Sequence, residues 1–381
     1  MATVFHCQRF VMPDGEEYVS PGVPPGGTVN QTMPYMIADF VRRDDWVIPQ
    51  FDKDERHLVA QLQRNRDAHY PFIEKTILDA PECRGKTFLI VCPGPSLAPM
   101  IQEVQQALER PEVVGIVINR AIKYLRIPAN QFAYITEAHA LCADWCEQEN
   151  VLAPWAGACK LITSPDAAAW LVKVWPDDQR YYFIMQWAEC PQDPRALPYM
   201  NRGAVAYCFV LSPVMALDAA RRMGARKIIL VGCDFALDLE GRYYLDALAW
   251  DHVCEHHRRA LYTFDGTGQL CLTNMDLLFR RNSMEAVCYW LERSARVPIL
   301  NASGGTLLWH TMSLQEALDY DGEPIVDYQT GDFYGETNGS GRLGPREVHA
   351  EVARSGLSPA IAGNRRRPGA DSGIENALAA P

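Results

Sequence analysis

Four groups of residues in this chain have the types and spacing to do chemistry. Asp234 stands at the end of the almost wholly apolar run KIILVGCDF, residues 227–235. A carboxylate at the mouth of a buried strand has its pKa set by burial and by its neighbours. The same residue would equally well N-cap the segment that follows. Behind it come Arg242, Tyr243, Tyr244, Asp246, His252, His256 and His257. Tyrosine hydroxyls and arginines suit a departing phosphate, and a histidine suits a general base. Upstream, Cys92-Pro93-Gly94-Pro95-Ser96-Leu97 separates an apolar run from an amphipathic one. Glycine permits a tight reversal there, and a helix start offers N–H groups and a positive dipole end to an anion. Two prolines remove two donors, so the turn is a poorer phosphate cradle than a Walker loop, and Ser96 also serves as an N-cap.

Asn119 and Arg120 close VVGIVIN. The Asn119 amide can bond a base or ribose through both faces, or it can simply turn the chain. Glu137 closes FAYITE beside His139, where it could ligate Mg²⁺ bridged to a phosphate or begin a helix. Cys254-x-His256 and His139-x-x-Cys142-x-x-x-Cys146 match no complete four-ligand zinc spacing. No HExxH, P-loop, paired CxxC or Ser/His/Asp order occurs.

Elements that must position these residues follow from periodicity. Short continuous apolar runs at 88–92, 113–119, 132–137, 159–163, 227–235 and 297–305 read as strands buried on both faces. Amphipathic stretches at 97–110, 203–223 and 274–296 read as helices, the second ended by Gly224. Alternation of this kind predicts an α/β, Rossmann-like, doubly wound and mainly parallel sheet with helices on both faces. Ligands then sit beyond the carboxyl ends of the strands, where the candidate residues fall. Strand order is not legible in periodicity.

The domain reading is an N-terminal extension over 1–84, a nucleotide-binding domain over 85–320 and a C-terminal extension over 321–381. From 335 onward the tail has no aromatic residue and is expected to be disordered. Hydrophobic residues make up 48 % and charged residues 22 % of the 381, enough to bury a core. Formal net charge is −11, from 47 acidic and 36 basic residues, which argues against bulk nucleic-acid coating and binding to anionic membranes. Twelve cysteines, several inside apolar runs, read as small buried hydrophobes in a reducing compartment. With no signal segment and no long apolar run, the expectation is a cytoplasmic protein without a membrane span.

The ordered run FLIVCPGPSL, VVGIVINRA, FAYITE, RGAV, ALDAARRMGARKIILVGCDFAL, GRYY and VPILNASGG resembles a domain family of unknown function. Its members include motility accessory factors and MptE-like 6-hydroxymethylpterin diphosphokinases. It is also similar to the related bacterial sialyltransferases that use CMP-sialic acid. The resemblance covers residues 86–318 and implies a phage or prophage member, in which case the cytoplasm is the host's.

The resemblance implies that the turn beside the nucleotide falls on Gly94, Pro95 and Ser96, and the nucleotide-contacting Asn on Asn119. A Ser-Gly pair becomes Arg202-Gly203, losing the hydroxyl. The Gly-x-Asp falls on Gly232 and Asp234, the phosphate-steadying tyrosine on Tyr243 or Tyr244, and the segment near the base on Asn301, Ser303 and Gly304. The sialyltransferase histidine is missing, since the corresponding stretch reads CLTNMDLLFRRN. A base would then come from His252, His256 or His257, or from a carboxylate.

The expected function is a transferase binding a nucleotide-activated donor, with glycosyl transfer from a nucleotide-sugar preferred. The alternatives are an ATP- and Mg²⁺-dependent diphosphokinase with Glu137 and Asp234 at the metal, and a non-catalytic nucleotide-binding or structural phage protein. No cofactor besides that Mg²⁺ is implied, and the sequence leaves the acceptor and the oligomeric state open.

Overall fold

The computed structural model describes residues 9–11, 17–19, 30–32, 64–136, 152–165, 167–186, 205–207, 212–239, 242–244, 261–265, 270–273, 275–307 and 309–324. Seven strands make the central sheet: β1 (Thr87–Val91), β2 (Val113–Ile118), β3 (Phe132–Ile135), β4 (Lys160–Thr163), β5 (Arg180–Tyr182), β6 (Lys227–Val231) and β7 (Ile299–Asn301). Their order is β7-β6-β1-β2-β3-β4-β5, and every neighbouring pair is parallel. The expected doubly wound α/β, Rossmann-like architecture is therefore present.

Both faces of the sheet are covered, which is why its strands read as unbroken apolar runs. Phe88 and Ile90 of β1, Ile116 of β2 and Ile228 and Leu230 of β6 share one core with helices α2 (Ser212–Arg222) and α3 (Met275–Ala295). Leu89, Val91, Val117, Ile229 and Val231 point the other way, into a core shared with α1 (Ile101–Leu108) and α4 (Leu314–Asp319). Burying each such side chain contributes roughly 1.5–3 kcal/mol, so the central strands are anchored from both sides. Lys227, the polar first residue of β6, is buried with its Nζ donating to the carbonyls of Leu318 and Tyr320 at 2.8 and 2.7 Å. That contact satisfies the C-terminal end of α4 and fixes it to the sheet.

The helix expected over 97–110 is α-helical over Ile101–Leu108, after a 3-10 helix at Pro95–Met100, and further elements differ from the sequence expectation. The helix predicted from Gly203 is described over Ser212–Arg222, and Val205–Tyr207 instead pairs in parallel with Ile184–Gln186. Pro213 falls in the first described turn of this helix, where its missing N–H and fixed φ are tolerated. Strand β5 lies in a Trp/Pro-rich stretch where no strand was expected, and its three residues are too few to show a period. Residues 77, 80 and 83, assigned from sequence to the N-terminal extension, are buried in the sheet's core, and Thr76 bridges to Tyr182 of β5. The tail from 335 lies outside the described residues.

Two further small assemblies complete the described residues: strands Arg9–Val11, Glu17–Val19 and Asn30–Thr32, and an antiparallel pair Leu261–Phe264 with Leu270–Thr273.

Candidate functional site

From β1 the chain builds outward through β2, β3, β4 and β5. It then returns to the opposite side of β1 as β6 and continues to β7. The winding direction thus reverses between β1 and β6. The crevice beyond the carboxyl ends of such a strand pair is where open α/β sheets bind ligands.

At this point the segments leaving β1 and β6 exit the sheet in contact. The Cys92 amide donates to the Val231 carbonyl at 2.8 Å, and the Gly94 amide to the Gly232 carbonyl at 3.0 Å. A Cβ on Gly94 would lie 2.4 Å from the Gly232 carbonyl oxygen, and one on Gly232 would lie 2.2 Å from that of Cys92. Gly232 also has φ of +66°, a left-handed conformation that favours glycine. Glycine is required here because backbone meets backbone.

Asp234 closes the arrangement. Its carboxylate accepts the Ser96 amide at 2.7 Å and the Ser96 hydroxyl in a short hydrogen bond, so a residue after β6 caps the turn after β1. The side chain is buried, and burial pushes its pKa up to about 6. The two Ser96 hydrogen bonds oppose that shift, and the nearby Asp265 carboxylate adds to it. Pro93 and Pro95 have no amide hydrogen, and the amides of Gly94 and Ser96 are spent on Gly232 and Asp234. The expectation that this turn presents amides to an anion is therefore not met at those residues. What it presents is backbone without bulk.

The cleft in front is lined by Cys92, Pro93, Gly94 and Gly232–Ala236 on its floor. Its walls are Ile118, Asn119, Arg120, Ser212, Pro213, Tyr243, Tyr244 and Arg280. Its unfilled space is about 750 Å³, counting the part open to solvent. Two non-glycine residues border it in the left-handed region, Asn119 at φ 42° and Phe235 at φ 48°. Asparagine tolerates that conformation, but for an aromatic residue it is an outlier costing about 1–3 kcal/mol, of the kind that clusters at functional sites. Surrounding groups hold it: the Phe235 carbonyl accepts from Thr306 Oγ1 at 3.0 Å and Thr273 Oγ1 at 3.1 Å. Asn119 donates through Nδ2 to Ser212 Oγ at 3.4 Å and accepts the Thr136 amide at 3.3 Å. Its amide thus ties the exits of β2 and β3 to the start of α2.

Above the floor, the Arg120 guanidinium carbon sits 4.5 Å from the centre of the Tyr244 ring, and Tyr243 and Tyr244 lie 4.5 Å apart at 59°. Arg242, named beside the tyrosines in the sequence, points elsewhere: it is half-exposed and pairs with Asp238 at 2.5 Å. Arg120 and Arg280 are the guanidinium groups of the cleft wall. Arg280 lies in the second turn of α3, inside the stretch CLTNMDLLFRRN, which the sequence marked only for its missing histidine.

The loop after β7 supports this floor from behind. Asn301 is fully buried, with Nδ2 donating to the Leu307 carbonyl at 2.8 Å and Oδ1 accepting the Ser303 amide at 3.0 Å. Ser303 Oγ in turn accepts the Cys233 amide at 2.8 Å. A Cβ on Gly304 would lie 2.8 Å from Ser96 Cβ, and Gly305, at φ +73°, packs on the Asp234 backbone. Gly94, Asn119, Gly232, Asp234, Tyr243 and Tyr244 are therefore brought together around one cleft. Pro95, Ser96, Asn301, Ser303 and Gly304 stand behind it rather than on its wall. Glu137, Arg202, Gly203, His252, His256 and His257 lie outside the described residues. Among the described residues no group of three His, Cys, Asp or Glu side chains could hold a metal ion. No helix among them is long and apolar enough to cross a membrane.

No family model matches the chain, and no curated protein matches it. Among solved structures, it is similar to the MAf glycosyltransferase from Magnetospirillum magneticum AMB-1, at 16 % identity and a TM-score of 0.43. The match covers 72 % of this chain and 42 % of that one, so the chain spans less than half the length of that structure.

Proposed function

We propose that this protein is a transferase that binds a nucleotide-activated donor in the switch-point cleft, and that the donor is a nucleotide-sugar. The observation that carries the reading is the joining of the β1 and β6 exits by Asp234 and Ser96, beneath a wall bearing Tyr243 and Tyr244. A floor of Gly94 and Gly232 admits a flat or extended ligand close to the backbone. Asn119 at the wall supplies an amide for the base or ribose. Pro95, Ser96, Asn301, Ser303 and Gly304 shape that floor, with Arg202 and Gly203 proposed beside the nucleotide from the sequence resemblance. The Tyr243 and Tyr244 hydroxyls steady the phosphate as the glycosidic bond to it breaks. His252 or His256 supplies the base in this proposal.

Nucleotide-sugars carrying CMP, UDP, GDP and ADP, with ATP/Mg²⁺ beside them, test the reading. One nucleotide-sugar class should raise the melting temperature in proportion to ln(1 + [L]/Kd). The same donor should hydrolyse slowly without an acceptor, and Tyr244→Phe should slow that hydrolysis roughly tenfold or more while leaving donor affinity within about threefold. A shift by ATP/Mg²⁺ alone, followed by release of AMP, would transfer the site to the diphosphokinase reading with Glu137 and Asp234 at the metal. Binding without any turnover would leave a nucleotide-binding protein.

A further inference from the structure

Two walls of the cleft touch each other. Arg120 follows β2, whereas Tyr243 and Tyr244 follow β6, and β1 lies between those strands in the sheet. Strands two places apart are separated by roughly 10 Å. The Arg120 guanidinium carbon nevertheless comes to 4.5 Å from the centre of the Tyr244 ring. The contact therefore spans the exit of β1, whose Cys92, Pro93 and Gly94 form part of the cleft floor.

Both ends of this contact are anchored. Arg120 stands between Asn119, whose side chain ties to Ser212 and to the Thr136 amide, and Ala121 and Ile122, which are fully buried. On the far side, Asp238 grips Arg242 at three points. Its amide donates to the Arg242 carbonyl at 3.1 Å, and its carboxylate accepts the Arg242 amide at 2.8 Å and Nε at 2.5 Å. Leu237, just before, pairs with Leu272 through two backbone hydrogen bonds of 2.6 and 3.1 Å. This clasp presents the two residues that follow it: Tyr243 packs on the core shared with α2 and α3, and the Tyr244 ring lies 4.5 Å from the Tyr243 ring.

A phenol ring set against a neighbouring ring and under a cation keeps its hydroxyl at one point. Stabilising a departing phosphate depends on that placement, since a misplacement of about 1 Å can cost on the order of 100-fold in rate. We propose that Arg120 is a positioning residue for Tyr244: stacked across the cleft, it fixes the phenol that steadies the leaving phosphate and does not itself hold the donor. The proposal rests on the nucleotide-donor reading for what Tyr244 does, and it adds the residue that makes Tyr244 able to do it.

Two measurements on the full chain test it. First, the protein is labelled with 3-fluorotyrosine and its fluorine NMR signals are recorded without ligand, with Tyr244→Phe assigning the Tyr244 signal. Arg120→Gln should shift that signal, whereas Arg120→Lys, which keeps a cation for the ring, should hold it near its wild-type position. Second, acceptor-free hydrolysis is measured across CMP-, UDP-, GDP- and ADP-sugars. For the donor that wild type hydrolyses, Arg120→Gln should lower kcat roughly fivefold with KM within about threefold, and Arg120→Lys should restore most of the rate. Because Arg120 acts through the Tyr244 hydroxyl, Arg120→Gln should add less than about twofold to the loss caused by Tyr244→Phe. A melting temperature near that of wild type shows that a variant is folded, and Arg120→Met, which keeps the apolar stem, replaces a glutamine variant that melts early.

A Tyr244 signal that stays in place in Arg120→Gln would overturn the proposal, whether or not a donor is found. A raised KM with losses that multiply in the double variant would overturn it too, since Arg120 would then hold the donor itself. A signal that moves while wild type hydrolyses no nucleotide-sugar would leave the positioning contact standing and remove the donor reading.

Discussion

Replacing Asp234 by alanine should weaken binding of the proposed donor at least tenfold and cost about 2–3 kcal/mol of stability, because one carboxylate joins two strand exits. The substitution leaves the Ser96 amide and hydroxyl without their shared acceptor in a part-buried turn. It also removes the carboxylate that packs beside Gly94 on the cleft floor. A pH signature separates this from general core damage. The Asp234 pKa is about 6 in the folded protein against a usual 3.8, and burial is its first cause. A raised folded pKa means the folded state holds the proton more tightly than the unfolded chain. The associated stability is fully present below about pH 4 and is lost as pH rises to about 6. The stability of wild type minus that of Asp234→Ala, from urea unfolding at pH 4, 5, 6 and 7, should therefore shrink across that window. A shift of this size corresponds to at most about 3 kcal/mol. A flat difference would show that the Ser96 hydrogen bonds cancel the burial penalty, and one that grows with pH would show that Asp234 is stabilised as an anion.

How much of this was legible in the sequence depends on which force fixes each feature. Strands β1, β2, β3, β4, β6 and β7 show in the residues because burial on both faces demands unbroken apolar runs. Asp234 shows because a carboxylate beside such a run must have a structural or chemical reason. Its partner does not show: Ser96 lies 138 positions away, and only the β6-next-to-β1 topology brings the two together. Periodicity is local, whereas strand order is set by how crossovers pack, so the switch point itself was not readable. Arg280 sits in CLTNMDLLFRRN, a stretch marked for its missing histidine, but periodicity does not say which wall a helical residue faces. Arg242 shows the converse error: being next to Tyr243 in sequence suggested the cleft, but a carboxylate four residues back holds it away. Composition makes the turn at Gly94 at best a poor anion cradle, and the two amides it keeps are consumed by contacts that arise only once β1 and β6 are paired.

Gly232→Ala should be among the most damaging single methyl additions in the described fold, costing about 2–5 kcal/mol. Two independent terms add. An L-residue in the left-handed region costs roughly 1–2 kcal/mol, and forcing a methyl against packed backbone adds about 1–3 kcal/mol. Gly85 separates them. It has φ of +73°, close to the +66° of Gly232, but a Cβ there would meet nothing within 4 Å. Gly85→Ala should therefore show the conformational term alone, about 1–2 kcal/mol, and the excess at Gly232 measures the contact with the Cys92 carbonyl, 2.2 Å from the added carbon. Urea unfolding of both variants beside wild type provides the comparison. Equal losses at the two positions would mean that the strand exits do not touch and that the cleft floor is looser than its hydrogen bonds imply. If the excess is present, the relief route matters for function. The Cys92 carbonyl can retreat only by moving Pro93 and Gly94, which line the same cleft, so a folded Gly232→Ala protein should lose ligand affinity as well as stability.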